Sequence, residues 1–373
     1  MAAGSARVLL FTGKGGVGKT TLAAATAARL AVGGHKVLVA SADPAHSLGD
    51  VFGVPVGAEP SEVDTCLYAA HVAARGLADR SWQSIRRGLR GVFGGVSDLD
   101  AAELTVLPGI DELLALTEVA RLADEGRWEV VVVDCGPTAE TLRLLALPEA
   151  VGGYLDRLAL GGSVAQLAGH LAGLRSLLVD PARTSVRLVL TPERLVVAET
   201  RRTLTALALR GIAVDGLIAN RLVPAARRWQ GPAASWLRTR RAEQDAVLSE
   251  LDDSAALPVH RVGYQAAEPV GVAALQSLAD ELYGSADPLA TSPYTAPLLS
   301  IATVGGGYEL TVALPLTGES EVDLARVGDE LAITVDGARR LVALPVLLRR
   351  HVVTDAVVRP AGLVLRFEVG GHS

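Results

Sequence analysis

The sequence predicts an α/β fold, a doubly wound, mostly parallel sheet with helical insertions, followed by a small all-β sandwich. Three observations predict it. Short Val-rich runs alternate with amphipathic helical stretches over the first three quarters of the 373 residues, as a sheet covered by helices on both faces requires. A glycine-rich segment stands between the first apolar run and the first helical pattern. After a proline-rich break the helical period disappears, and strand-length pieces follow one another between Gly, Pro and Asp.

In order, the candidate strands of the first part are 7–12, 36–40, 67–72, 129–134, 186–191 and 214–220. Helical insertions are expected at about 76–107 and 151–182, and the whole unit at 1–284. In such a sheet the ligand sits beyond the carboxyl ends of the strands. Asp43, Asp134, Thr191 and Asn220 each close a candidate strand or follow it by a few residues.

The glycine-rich segment is Gly13-Lys14-Gly15-Gly16-Val17-Gly18-Lys19-Thr20-Thr21. It fits G-x-x-x-x-G-K-[ST], and the strand before it and helix after it are the context that motif needs, so the sheet is that of a P-loop NTPase. Its glycines let backbone N–H groups turn inward around a phosphate, and the helix N-terminus adds partial positive charge. Lys19 then reaches the β- and γ-phosphate oxygens, and the Thr20 hydroxyl ligates Mg²⁺. The chain has only three lysines against 32 arginines, and two of the three are Lys14 and Lys19. Lys14 is an additional signal, because an ordinary P-loop does not need a second lysine after its first glycine.

Asp134 ends the run Glu129-Val130-Val131-Val132-Val133-Asp134, which reads as a buried strand capped by a carboxylate that holds Mg²⁺ through water. Asp43 lies in Asp43-Pro44-Ala45-His46-Ser47, just past the second strand. A carboxylate there can orient the water that attacks the γ-phosphate. An Asx-turn or helix N-cap explains the same dipeptide. Asn220 ends a later strand and is placed to pair its amide with the adenine edge. A guanine-reading Asn-Lys-x-Asp run does not occur, which favours ATP over GTP.

Composition narrows the class further. A net charge of −6 argues against nucleic acid as the main partner. No apolar run approaches the ~20 residues that a membrane helix needs, so no integral span is expected. The short apolar run before the P-loop is not a signal peptide, which leads to the expectation of a cytoplasmic protein. Cys66 and Cys135 stand alone with no C-x-x-C pair, so no thiolate zinc or metalloid site is readable.

The chain resembles the ArsA-type ATPases, the arsenite-pump and tail-anchored-targeting family of the deviant P-loop class that also holds MinD and ParA. The residues that carry the resemblance are the 13–21 loop, Asp43-Pro44-Ala45-His46-Ser47, Pro108-Gly109-Ile110-Asp111-Glu112, the run from Asp134-Cys135-Gly136-Pro137-Thr138 to Arg143, and Thr191-Pro192-Glu193. It extends through Asn220-Arg221-Leu222-Val223-Pro224 to Glu268-Pro269-Val270-Gly271, about residues 6 to 284. The resemblance implies a homodimer with ATP near its interface, Lys14 acting in trans, Asp43 positioning water, and switch loops that report nucleotide state to a helical subdomain. It further implies a hydrophobic polypeptide or membrane-protein segment as client. An arsenite or oxyanion pump and a MinD- or ParA-like positioning switch are the alternatives.

The chain departs from the family where Cys135, Gly136, Ala139 and Glu140 replace usual switch II residues. The zinc C-x-x-C, the clustered metalloid cysteines and the methionine-rich client groove are all missing, Met1 being the only methionine. Apolar stripes with the spacing of a groove-lining helix occur at Trp82, Ile85, Leu89 and Phe93, and at Val164, Leu167, Leu171, Leu174 and Leu178. Ordinary core packing produces the same spacing. Residues 285–297 read as a linker and 298–373 as a β-sandwich, with strands expected at 308–314, 330–335, 339–343 and 362–368. This last part resembles the α-crystallin domain of small heat-shock proteins, through Tyr308-Glu309-Leu310-Thr311-Val312-Ala313-Leu314-Pro315 and Gly328-Asp329-Glu330-Leu331-Ala332-Ile333.

Overall fold

The computed structural model describes residues 5–43, 47–72, 110–137, 163–225, 231–254, 257–290, 299–305, 307–314, 321–359 and 362–369. Expectations for the first insertion with its Trp82–Phe93 stripe, for Pro44 to His46, for Pro108 and Gly109, for Thr138 to Arg143, for 151–162 of the second insertion and for 291–297 of the linker lie outside those residues.

The central strand is β1 (Arg7–Gly13), buried along its whole length. It pairs in parallel with β5 (Val130–Pro137) on one side and β6 (Thr184–Leu190) on the other. Valine and leucine dominate all three because both faces are covered, which removes the alternation an exposed face would impose. Outward from β5 come β2 (Val37–Ser41), β4 (Leu67–His71) and β3 (Ser61–Asp64), and outward from β6 come β7 (Val214–Leu222) and β8 (Val259–Gly263). Only β3 runs antiparallel, joined to β4 by a tight turn in which Cys66 takes φ 60.

Helix α1 (Lys19–Val32) follows β1 directly and buries Leu22, Ala23, Ala24, Ala27 and Leu30. The alanines let it lie close to the sheet. The remaining helices of this part are α2 (Ser47–Phe52), α3 (Ile110–Asp124), α4 (Ser163–Val179), α5 (Arg194–Leu209), α6 (Pro232–Ser254) and α7 (Val272–Tyr283). On α4, Leu171, Leu174 and Leu178 all join the main core, so the described half of the second stripe is packing and not groove.

Inside this unit lies a buried polar cluster. The Arg187 guanidinium pairs with Asp215 at 3.1 Å and donates to the Tyr283 hydroxyl at 2.8 Å. It also donates to the carbonyl of Pro288. Tyr283 bonds Thr26 of α1 at 2.8 Å, and Ser185 donates to Asp215 at 2.7 Å. One cation thus ties α1, α7, β6, β7 and the segment after α7 together, with its partners satisfied as a buried charge requires.

The second part is two antiparallel sheets. One has the order β14 (His351–Arg359), β15 (Gly362–Val369), β10 (Gly307–Val312), β9 (Leu299–Val304), and the other β11 (Val322–Val327), β12 (Glu330–Val335), β13 (Ala338–Ala343). Leu310, Val312, Ile333, Val335, Leu365 and Phe367 fill the space between them. Leu209, the last residue of α5, is 1% exposed and belongs to this same cluster, with Ala208 packed against it. Four of these strands were expected. β9, β11 and β14 were not, and all three are largely exposed.

Candidate active site

The loop between β1 and α1 is a cradle shaped by close approaches. A Cβ at Gly13 would lie 2.1 Å from the carbonyl oxygen of Val189. Gly18 takes φ 99, and a Cβ there would meet the Asn220 amide at 2.5 Å. Both positions therefore need glycine. Gly18 caps α1 without a side chain, which leaves the first-turn N–H groups of the helix available to an anion. Lys19 is 7% exposed at the floor of the cradle, and its ammonium donates to the Lys14 carbonyl at 3.3 Å.

Beside the cradle, the Thr20 hydroxyl donates to Asp134 Oδ2 at 2.7 Å and lies 3.2 Å from the Ser47 hydroxyl. The Ser41 hydroxyl approaches the same carboxylate oxygen at 3.4 Å and receives the Asp43 N–H at 3.3 Å. These contacts exist because Asp134 stands in register with Phe11 of β1 and Ser41 of β2. Asp134 is fully buried, yet its Oδ1 has no hydrogen-bond partner. Burial raises its pKa from 3.8 to about 6, the charge of Asp43 pushing the same way, while the Thr20 hydrogen bond and Lys19 oppose the shift. A buried carboxylate with a free oxygen beside a hydroxyl is a hard-oxygen donor set, which suits Mg²⁺. Among the described residues no three His, Cys, Asp or Glu side chains converge as a metal cluster.

A cavity of about 410 Å³ opens from the cradle, lined by Lys14 to Val17, Thr191, Glu193, Val196, Arg221, Val223, Trp236, Arg240, Gln244 and Tyr264. Asn220 stands beside this wall: its Nδ2 donates to the Val17 carbonyl at 2.8 Å and its Oδ1 accepts the Arg221 N–H at 2.9 Å, so it braces the P-loop. Arg221 sits at φ 62, and Gln244 holds the loop after it, accepting from Val223 N–H at 2.8 Å and donating to the Arg221 carbonyl at 3.1 Å. Trp236 and Tyr264 are 64% and 62% exposed.

Glycine spacing and strand ends located Lys14, Lys19, Thr20, Asp43, Asp134 and Thr191, and the fold brings all of them to one end of the sheet. Sequence reasoning gave no role to Ser41, Ser47, Trp236, Arg240, Gln244 or Tyr264. Ser47 ends the segment already singled out, and Ser41 lies two residues before Asp43. The other four come from α6 and the chain after β8, and no local pattern marks them. Lys14 is half-exposed and pairs with Glu199 of α5 at 3.5 Å. Cys135 is buried, and burial pushes its thiol well above the usual range.

A family model described as the anion-transporting ATPase matches residues 6–167 and 159–284, and one described as an HSP20-like domain found in ArsA matches residues 305–367. A putative arsenical pump-driving ATPase of Prosthecochloris vibrioformis is 34% identical, over 97% of this chain and 96% of the relative. Protein Rv2184c of Mycobacterium tuberculosis is 39% identical over the same shares of the two chains. An arsenical pump-driving ATPase of Escherichia coli is 31% identical, over 78% of this chain and 50% of its own length.

Proposed function

Because this chain belongs to the ArsA family of anion-transporting ATPases, and so is an ATP-hydrolysing enzyme, we propose that it works as a homodimeric switch. In this reading its nucleotide cycle governs the binding of an apolar polypeptide. The observation that carries the nucleotide chemistry is the fully buried Asp134, bonded to Thr20 at 2.7 Å through one oxygen and unpartnered at the other. Thr20 and Asp134 would hold Mg²⁺. When bound, the cation draws charge from the β- and γ-phosphate oxygens. The N–H groups of Gly15 to Thr21 surround the phosphates, Lys19 neutralises them from the cradle floor, and Asp43 orients the attacking water. Lys14 completes the site of the partner protomer.

Two observations support a polypeptide client. An HSP20-like domain is part of the chain, and it is seated on α5, whose other end lines the nucleotide cavity. Its surface presents Leu341, Val346, Leu347 and Val352 to solvent. Among the described residues no helix is long and apolar enough to cross a membrane. A second reading, a motor for an arsenical pump, is favoured by the name of the Prosthecochloris relative, which spans both parts of this chain. Steady-state ATPase with an apolar helix peptide, and separately with arsenite, separates the two. Stimulation by peptide supports the client reading. A response to arsenite alone replaces it with the pump reading. Asp43→Asn is expected to retain ATP and lose at least tenfold in turnover; normal turnover would remove the water-positioning role.

A further inference from the structure

Lys14 has a carboxylate partner that no sequence motif names. Its ammonium lies 3.5 Å from Glu199 Oε2, in the second turn of α5 of the same chain, with side chains 46% and 34% exposed. The Lys14 main chain is fixed, because its carbonyl accepts from the buried Lys19 ammonium. Only the flexible four-carbon stem is free to swing. Glu199 is fixed as well, since it belongs to a helix whose Val196, Val197, Leu204 and Leu207 are buried. At its start that helix is held to α6 by Glu193 and Arg240 at 2.7 Å, and at its end by Leu209 in the sandwich core.

We propose that Glu199 is a positioning residue that parks Lys14 within its own protomer until a second copy of the chain docks. This rests on the reading that Lys14 acts across the dimer. To reach the partner's phosphates, Lys14 must leave Glu199. An exposed ion pair of this length is worth about 0–1 kcal/mol, so it is a bias on the free chain and not a lock. It keeps a lone ammonium from dwelling at its own cradle, and it sets a threshold that association must exceed.

The test uses the full chain and Glu199→Gln, which keeps the shape and removes the charge. ATPase is measured across protein concentration. The half-maximal concentration is expected to fall, by up to about fivefold for each of the two lysines a dimer must release, with no loss of rate at saturating protein. A second readout does not depend on turnover. With only three lysines in the chain, ¹³C-lysine labelling gives few side-chain signals, and the Lys14 signal is the one absent in Lys14→Arg. In dilute nucleotide-free protein, Glu199→Gln should move the Lys14 signal and leave that of Lys36 in place. An unmoved Lys14 signal overturns the pairing. A moved signal with an unchanged or raised half-maximal concentration overturns the parking role. A wild-type rate per chain that ignores protein concentration removes the cross-dimer reading itself, and the Lys14 signal then reports the pair alone.

Discussion

Asp134 is the residue on which acidity, stability and the proposed metal site meet. Its pKa of about 6 stands above the ordinary 3.8 because burial penalises the charged form. The folded state therefore holds the proton more tightly than the unfolded one. The resulting stability is fully present below about pH 4 and is lost as pH rises to about 6, at up to about 1.4 kcal/mol per pH unit. Nucleotide-free protein should accordingly melt at lower temperature at pH 7 than at pH 5, and Asp134→Asn should flatten that slope in a thermal-melt series. If Asp134 holds Mg²⁺ as proposed, the proton and the cation compete for one carboxylate, and Mg²⁺-dependent nucleotide binding should weaken below about pH 6. Magnesium-dependent binding that is flat from pH 7 to pH 5 would contradict the assignment. The Asp was legible as a strand-end carboxylate. Its acidity was not, because desolvation depends on what Phe11, Ser41 and Thr20 place around it.

At the scale of elements, two connections matter. The Arg187–Asp215 pair is 7% exposed on both sides and links two strands to α1, α7 and Pro288 through Tyr283 and its own donors. Removing the carboxylate leaves a buried guanidinium without its counter-charge, so Asp215→Ala should cost about 3–5 kcal/mol in chemical denaturation. The other connection is α5. Leu209 closes the sandwich core from outside it, and Leu209→Arg would force a charge into an apolar cluster. The sandwich should then detach, read as faster proteolysis within 285–297 and as a second thermal transition. One unchanged transition would mean that the helix end does not hold the sandwich. Neither connection was predicted, since each joins residues tens to more than a hundred positions apart. The strands missed in the sequence, β3, β8, β9, β11 and β14, bury few of their residues, β8 only Val262. Period-two patterning is written by a buried face, and exposed strands carry little of it.

For the whole molecule, the proposed dimer makes a quantitative demand. If Lys14 serves the partner's nucleotide while Lys19 serves its own, Lys14→Ala and Lys19→Ala should each be inactive alone. Mixed in equal amounts they should recover about a quarter of wild-type turnover, because half of randomly paired dimers are mixed and each mixed dimer has one complete site. No recovery in a mixture shown to exchange subunits would place both lysines in one protomer's site. Such complementation reports on the assembled protein, and no single-residue property substitutes for it.

The sequence by itself determined the fold class and marked the loop and strand-end carboxylate on which the proposed phosphate chemistry rests. Glycine spacing around Lys14 and Lys19, valine runs on buried strands and a carboxylate at a strand end are local patterns, and each expresses a constraint that neighbouring residues impose on one another. The tertiary structure alone decided which side chains face one another across long separations. It turned Asn220 onto the P-loop, brought Trp236, Gln244 and Tyr264 to the cavity, gave Lys14 its partner in Glu199, and seated the sandwich on Leu209. Those pairings depend on how strands order themselves and how helices pack on them, and the chain holds no local record of either.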